Sequence, residues 1–275
     1  MSATTRERLV QLVRRADADL AEAALLCAVE ADPTLDVDVE LLRIDALADG
    51  LRTRATAMGD DPDRIATELA GYLGGQLGFR GDLDSYHDPD NALLHRVVAR
   101  RRGLPISLSI LYVAIARRLH IPAYPVHLPG HVVMAIASGD RPRILDPFHG
   151  GDVLDEGAIA ARVTQLTAGQ LEFRRAMLRP APAVEVVRRL LNNLTRDLAW
   201  ATSDPGSARW TIELKLLLPN RQPEDHRELG ELLAASGRFG PAATALERYL
   251  ELIGPDAPDR EPVRRAAIQA RARLN

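Results

Sequence analysis

The stretch that decides the fold is LPISLSILYVAIARRLHIPAYPVHLPGHVVMAIASGDRPRILDPF, residues 104–148. Its first part, from about Pro105 to Leu119, is apolar on nearly every side for three turns, and only Arg117 and Arg118 are suited to solvent. A helix of this composition is typical of the middle of a domain. We therefore predict a buried helix that forms the central element of the core.

Three short apolar runs follow this helix: AYPVHL, HVVMAIA and RILDPF. Pro129-Gly130 separates the first two, and SGDRP separates the last two. Runs of this length between such breakers favour strands over another helix. The sequence therefore predicts an antiparallel meander after the buried helix.

The meander places His131 at the start of one strand and Asp146 at the end of the next. A two-residue loop at Ser138-Gly139 would set Ala137 opposite Asp140 and, in the same register, His131 opposite Asp146. Cβ atoms of directly opposite residues are about 4.5–5.5 Å apart, so the imidazole and the carboxylate would meet. A four-residue loop would change this register.

The rest of the chain is predicted to be mostly helical. Residues 5–32 predict a first helix that ends at Asp32-Pro33, and residues 92–102 predict another that Asn91 caps. Cys27 lies among apolar residues of the first helix, which favours a buried thiol over a reactive one.

The chain after about residue 180 is also helical, and it contains a weak internal repeat. A shift of 34 residues, the period of tetratricopeptide helix pairs, aligns Leu198 with Leu232, Ala208 with Ala242, and Glu213 with Glu247. Two pairs are few for an independent array. We therefore expect a domain over residues 1–180 and a tetratricopeptide-like helical region over residues 181–275 that packs on it. The predicted fold class is α+β, mostly helical, with a small antiparallel sheet packed on a buried central helix.

Composition excludes several classes of function. The 35 basic and 38 acidic residues give a net charge of −3 and are spread along the chain, so we predict no nucleic-acid partner. No apolar run is long enough to span a bilayer, and the start lacks a signal-peptide core, so we expect a cytoplasmic protein without a membrane partner. A single cysteine excludes an internal disulfide and a cysteine-rich zinc cage.

Three motifs give this sequence a family resemblance: RRGLPISLSILY, LPGHVVM and LDPFHGG. With their surroundings they resemble the SirB-type proteins, in which a transglutaminase-like domain precedes tetratricopeptide repeats. The resemblance covers about residues 20–255. It departs from the family at His120, where glycine is usual, and at Val132, where an aromatic residue commonly follows the histidine.

The transglutaminase-like fold implies a cysteine nucleophile at the start of the buried helix, a histidine base and an aspartate that orients it. His131 and Asp146 match the last two roles, but Pro105 stands in the cysteine position. Ser107 and Ser109 lie within one turn, and Ser107 is the candidate replacement. It is also suited to capping the first helical turn.

A metal site is a further alternative, since His127, His131, Asp146 and His149 are close in sequence. Their spacing matches no familiar zinc motif. We predict neither a metal nor a cofactor.

Two hypotheses of function remain. The first is a noncatalytic protein that binds a protein or peptide through the helical tail and the cleft that holds the active site in transglutaminase-like enzymes. The second is a hydrolase or acyltransferase in which Ser107, His131 and Asp146 are nucleophile, base and orienting group. The sequence does not indicate an oligomeric state.

Overall fold

A computed structural model of the chain describes residues 3–139, 141–202 and 204–273. Helices dominate this part of the chain, as predicted. They are α1 (Ala3–Leu12), α2 (Leu20–Ala28), α3 (Val37–Met58), α4 (Pro62–Leu69), α5 (Leu94–Arg100), α6 (Pro105–Arg118), α7 (Glu156–Leu166), α8 (Ala183–Ala201), α9 (Arg209–Leu217), α10 (Pro223–Ala235), α11 (Phe239–Leu252) and α12 (Arg260–Ala272). None of the helices in the described residues is both long and apolar enough to cross a membrane.

The strands form two sheets. A short parallel pair joins β1 (Arg80–Gly81) to β2 (Arg102–Gly103). The main sheet is antiparallel and follows chain order, with β3 (Ala123–Leu128), β4 (His131–Ile136), β5 (Arg143–Asp146) and β6 (Asp152–Leu154). The predicted meander and the α+β class are thus confirmed, and β6 extends the meander by one strand that the sequence did not reveal.

Helix α6 is the centre of the core, as its sequence predicts. All of its residues from Pro105 to Ala116 are buried. Pro105 occupies the first turn, where a missing N–H costs little. Just after the helix, His120 has a φ of 60°, a left-handed conformation that favours glycine. The histidine therefore fills a position whose backbone explains the glycine usual in the family.

The predicted register between β4 and β5 is wrong by two residues. Ala135 pairs with Ile144, and Ile136 pairs with Arg143, so the connection is longer than two residues. Asp140, which the prediction set opposite Ala137, lies outside the described residues. Because side chains alternate along a strand, a shift of two residues keeps every side chain on its predicted face.

Two local predictions need correction. The predicted first helix is two helices, because the Asp19 side chain accepts hydrogen bonds from the N–H groups of Ala21 and Glu22 and starts α2. Asn91 does not cap α5, which begins at Leu94. Its Nδ2 instead donates to the carbonyl of Ser85 at 2.7 Å.

The tail continues the main core before it becomes a separate helical stack. On α8, the apolar residues that face inward belong to the same buried cluster as α6; they are Val186, Val187, Leu190, Leu191 and Leu194. Helices α10 and α11, which hold the better copy of the repeat, pack so closely at Gly230 that a Cβ there would lie 2.6 Å from Leu246 Cγ. The helical-repeat tail is therefore confirmed.

Candidate functional site

The predicted histidine–aspartate pair is formed. His131 opens β4, Asp146 ends β5, and Nε2 of the imidazole lies 2.9 Å from Oδ2 of the carboxylate. Both residues are buried, with 5% and 0% of their surfaces exposed. They are diagonal neighbours instead of direct partners, a spacing that long side chains still bridge when they share a face.

Backbone N–H groups of the segment DPFHGG, residues 146–151, hold Asp146 in place. Asp146 Oδ1 accepts the N–H of Phe148 at 3.1 Å, and its backbone carbonyl accepts the N–H of Gly151 at 2.8 Å. Gly150 and Gly151 have φ values of 73° and 90°, which side-chain-bearing residues rarely adopt. These glycines permit a sharp turn, and the turn brings His149 back to the carboxylate.

Two further cationic or titratable groups complete the site. His149 Nδ1 lies 2.9 Å from Asp146 Oδ2, and the guanidinium of Arg162, from α7, donates to the same oxygen. The Arg162 Nη1 is also 2.7 Å from His149 Nδ1. Because a guanidinium only donates, this ring nitrogen accepts when it pairs with Arg162 and donates when it pairs with Asp146.

The charges around Asp146 decide its ionisation. Burial alone would raise the pKa of the carboxyl, but the hydrogen bond from His131 and the electrostatic attraction of His131, His149 and Arg162 hold that pKa below its ordinary value. The site therefore contains an ionised carboxylate whose acceptor positions are taken by protein donors.

Ser107 occupies the first turn of α6, where its hydroxyl is already engaged. It donates to the backbone carbonyl of Asn91 at 2.6 Å and accepts the N–H of Leu104 at 3.0 Å. Among the described residues it makes no hydrogen bond to His131. Ser109 is closer to the strand, since its hydroxyl donates to the carbonyl of Val132 at 3.2 Å.

Cys27 is the other possible nucleophile, and it is buried in α2 within the main core. Burial raises the pKa of its thiol to about 12. Because the thiolate is the reactive form, this cysteine is inert at neutral pH. The interpretation as a buried structural thiol is confirmed.

The four residues of the alternative metal site are not all together. Ligand atoms of His131, Asp146 and His149 lie within 4.8 Å of one another, close enough to share a cation. Arg162 already donates to the carboxylate oxygen that a cation would use, so a metal would have to displace it. His127 lines a separate cavity with Arg189.

An aromatic row, here defined as His131, Phe148, Tyr86, His87 and Trp200, connects this site to α8. The Phe148 ring meets the His131 ring edge-on at 6.0 Å, and successive centroids along the row are 5.9, 5.3 and 5.4 Å apart. Trp200 ends the row with 77% of its surface exposed. The sequence analysis missed this row because its members are far apart in the chain.

Helix α8 also holds the turn that carries His131. The Arg189 guanidinium donates to the carbonyl of His131 at 2.9 Å and to the carbonyl of Leu128 at 3.2 Å. The strand that presents the imidazole is therefore anchored by the helix that carries Trp200.

Comparison with known proteins gives two family matches. Residues 40–192 match the model of the transglutaminase-like superfamily, and residues 196–274 match a tetratricopeptide repeat model. A UPF0162 protein of Xylella fastidiosa (strain 9a5c) is 34% identical over 236 residues, which are 85% of this chain and 83% of that protein.

More distant or partial relatives were also found. A UPF0162 protein of Pseudomonas aeruginosa is 31% identical over 191 residues, 69% of this chain and 68% of the relative. Human F-box only protein 21 is 41% identical over 73 residues, which are 26% of this chain and only 12% of that protein.

Proposed function

We propose that this chain, a member of the transglutaminase-like superfamily in which the family resemblance sets Pro105 at the position of the nucleophilic cysteine, is a noncatalytic protein that binds a protein or peptide partner. The observation that carries the proposal is the pairing of His131. Its Nε2 bonds to Asp146, and no thiol or hydroxyl of the described residues hydrogen-bonds to its ring. An acid–base pair without a nucleophile within hydrogen-bond reach has no covalent step to assist.

The aromatic row supports binding of a polypeptide. Trp200 is almost fully exposed beside His87, and tryptophan at the centre of an interface is among the residues that contribute most to binding. His87 is itself oriented by Asp197, whose carboxylate lies 2.9 Å from its Nδ1. The row thus leads from the exposed Trp200 on α8, through the half-buried Tyr86 and His87, to the buried pair.

The helical tail is the second part of the proposal. Residues 196–274 match a repeat whose helix pairs form grooves suited to partner segments. We divide the chain into a domain of residues 1–180 with the histidine–aspartate pair and a tail of residues 181–275 packed on it. The partner is a protein and not a nucleic acid, because the net charge is −3, and we place the complex in the cytoplasm.

The experiment uses site-specific photo-cross-linking of the full chain in cells. A benzophenone amino acid replaces Trp200 in one variant and Leu42, an equally exposed apolar residue on α3, in the control. The proposal predicts one abundant cross-linked protein from position 200 and none from position 42. Equal labelling at both positions, or none at position 200, would contradict it. Deleting the tail is a poorer test, since α8 contributes five buried residues to the main core.

The serine-dependent hydrolase or acyltransferase remains the second candidate. The observation that favours it is the intact His131–Asp146 pair with an ionised carboxylate, together with Ser107 in the first turn of α6. This hypothesis predicts that an acyl-phosphonate probe labels Ser107 and that His131→Ala abolishes labelling in a folded protein. Absence of labelling favours the binding protein.

A further inference from the structure

A cavity lies beside the β3–β4 turn and is lined there by His127, Leu128 and Pro129. It has a volume of about 430 Å³, and its charged or titratable lining consists of His127, Arg174, Arg179, Glu185 and Arg189. Ligand pockets for small molecules typically have volumes of roughly 300–1,000 Å³. The cavity is therefore large enough for a compact organic ligand.

The positive charges of this cavity are not balanced by the protein. Arg189 is half-buried and donates only to backbone carbonyls, with no carboxylate partner among the described residues. Arg174 makes no side-chain hydrogen bond or ion pair within that same part of the chain. Only Arg179 has a counter-charge, since its Nη2 lies 3.4 Å from the carboxylate of Glu185. Three guanidinium groups thus line the cavity with one carboxylate, and although Arg174 and Arg179 are exposed to solvent, the half-buried Arg189 is a charge of the kind that is normally paired.

His127 adds an unsatisfied polar group to the same lining. Its Nε2 is buried and has no hydrogen-bond partner in the described structure. Burial, followed by the positive charges of Arg189 and Arg179, lowers the pKa of the imidazole to about 4. The ring is therefore neutral at pH 7, with one N–H donor, and uptake of a proton would make both ring nitrogens donors and add a positive charge that favours an anion.

We propose that this cavity binds a small organic anion, a carboxylate or phosphate with a short apolar group. The anion lies between the Arg174 and Arg189 guanidinium groups and supplies the missing counter-charge. The apolar group packs on the remaining lining, which includes Pro129, Met177 and Ala181. This site is independent of the peptide-binding surface proposed above.

Isothermal titration calorimetry of the full chain at pH 7 tests the proposal with three probes of equal alkyl length. Pentanoate and butyl phosphate attach a carboxylate and a phosphate, respectively, to the same butyl group, and 1-butanol has this butyl group without an anion. We expect saturable binding of at least one anion and none of the alcohol. Binding of 1-butanol with equal affinity, or no saturable binding of either anion, would overturn the proposal.

Two charge variants should change the affinity for the anion in opposite directions, a result that a folding defect in both would not produce. Arg174→Gln should weaken binding of the anion about fivefold, because an exposed cation is lost. Glu185→Gln should strengthen binding about threefold, because the competing carboxylate is removed. Arg265→Gln, which changes an exposed arginine of α12, should have no effect. An unchanged affinity in Arg174→Gln and Glu185→Gln would contradict the assigned site.

The proton linkage of His127 gives a further readout. The charged groups that face it are Arg174, Arg179 and Arg189, with Glu185 as the single acid. A bound anion favours the protonated imidazole, so affinity should rise as the pH falls from 8 to 5. His127→Gln should remove most of this dependence. The same pH dependence in wild type and His127→Gln would contradict a role for the imidazole.

Discussion

Two histidines of one hairpin lie four residues apart and have opposite surroundings. His131 meets a buried carboxylate that also accepts from His149 and Arg162. His127 meets three arginines and has no hydrogen-bond partner at its buried Nε2 in the described residues. The first cluster has its counter-charge built in, and the second lacks one. The difference shows that neighbours from other parts of the chain, and not the hairpin itself, determine what an imidazole can do.

The largest expected effect is the loss of the built-in counter-charge. Asp146→Asn should reduce the free energy of unfolding by about 3–5 kcal/mol, because the cluster of donors around it is then left without an anion. Urea denaturation followed by circular dichroism measures this loss. Asp84→Asn, at an exposed aspartate, is the matched control and should change stability by less than about 0.5 kcal/mol. A loss of similar size in both variants would mean that the Asp146 cluster is not special.

The same carboxylate has a pH signature. The pKa of Asp146 is lower in the folded state than the ordinary value, so the stability it provides is complete above a pH of about 4 and is lost as the pH falls through the folded-state pKa. Asp146→Asn should lack this component of acid unfolding.

Removing Arg162 tests how much of the stabilisation of the Asp146 carboxylate comes from this one donor. Arg162→Gln should reduce the free energy of unfolding by about 1–2 kcal/mol, because the amide retains a neutral donor but loses the charge opposite Asp146. Arg64→Gln, at an exposed arginine of α4, is the control. A negligible effect of Arg162→Gln would show that the two histidines suffice to balance the carboxylate.

His127, in the arginine-lined cavity, should affect stability over a different pH range from Asp146. The pKa of His127 falls from about 6.5 in the unfolded chain to about 4 in the folded protein, so the unfolded state binds more protons between these values. Stability should therefore decrease as the pH falls from about 6.5 to 4, by an amount on the order of 3 kcal/mol. The difference between wild type and His127→Gln isolates this slope from those of His95 and His226, whose pKa values are also lowered.

The smallest effect is expected from adding the missing counter-charge. Ala176 is exposed at the edge of the arginine-lined cavity, so Ala176→Glu should raise stability by only a few tenths of a kcal/mol. Thermal unfolding at low and high salt measures this gain, which salt should screen. Ala176→Gln serves as the neutral control. A larger gain from glutamine than from glutamate would indicate that charge is not what this cavity lacks.

The sequence predicted the helix and strands that carry the site more accurately than the register between those strands. The burial of α6 and the ends of β4 and β5 follow from local apolar runs and from breakers such as Pro129-Gly130. The β4–β5 register depends on the geometry of a loop that composition does not specify, and it was predicted two residues away from the observed one. The predicted contact between His131 and Asp146 is nevertheless present, because a register shift of two residues leaves both side chains on the same face of the sheet.

Other parts could not be derived from local patterns. Asp19 is a recognisable helix cap, and the sequence analysis overlooked it. Arg162 could not be singled out from the sequence, since it is one of many arginines in the chain and nothing in α7 itself marks it. Asparagine is a residue type that often caps helices, but the side-chain amide of Asn91 donates to the backbone carbonyl of Ser85 instead.

The sequence by itself determined a buried helix, a meander behind it and a histidine and an aspartate on one face of that meander, because periodicity and chain breakers act over a few residues. It also determined that no cysteine opens the helix. Only the tertiary structure decided that Arg162 joins Asp146 and that three arginines surround His127 without enough acid to balance them. The physical reason is that electrostatic environment is set by groups brought together from distant positions, and their packing is not encoded in any single local pattern.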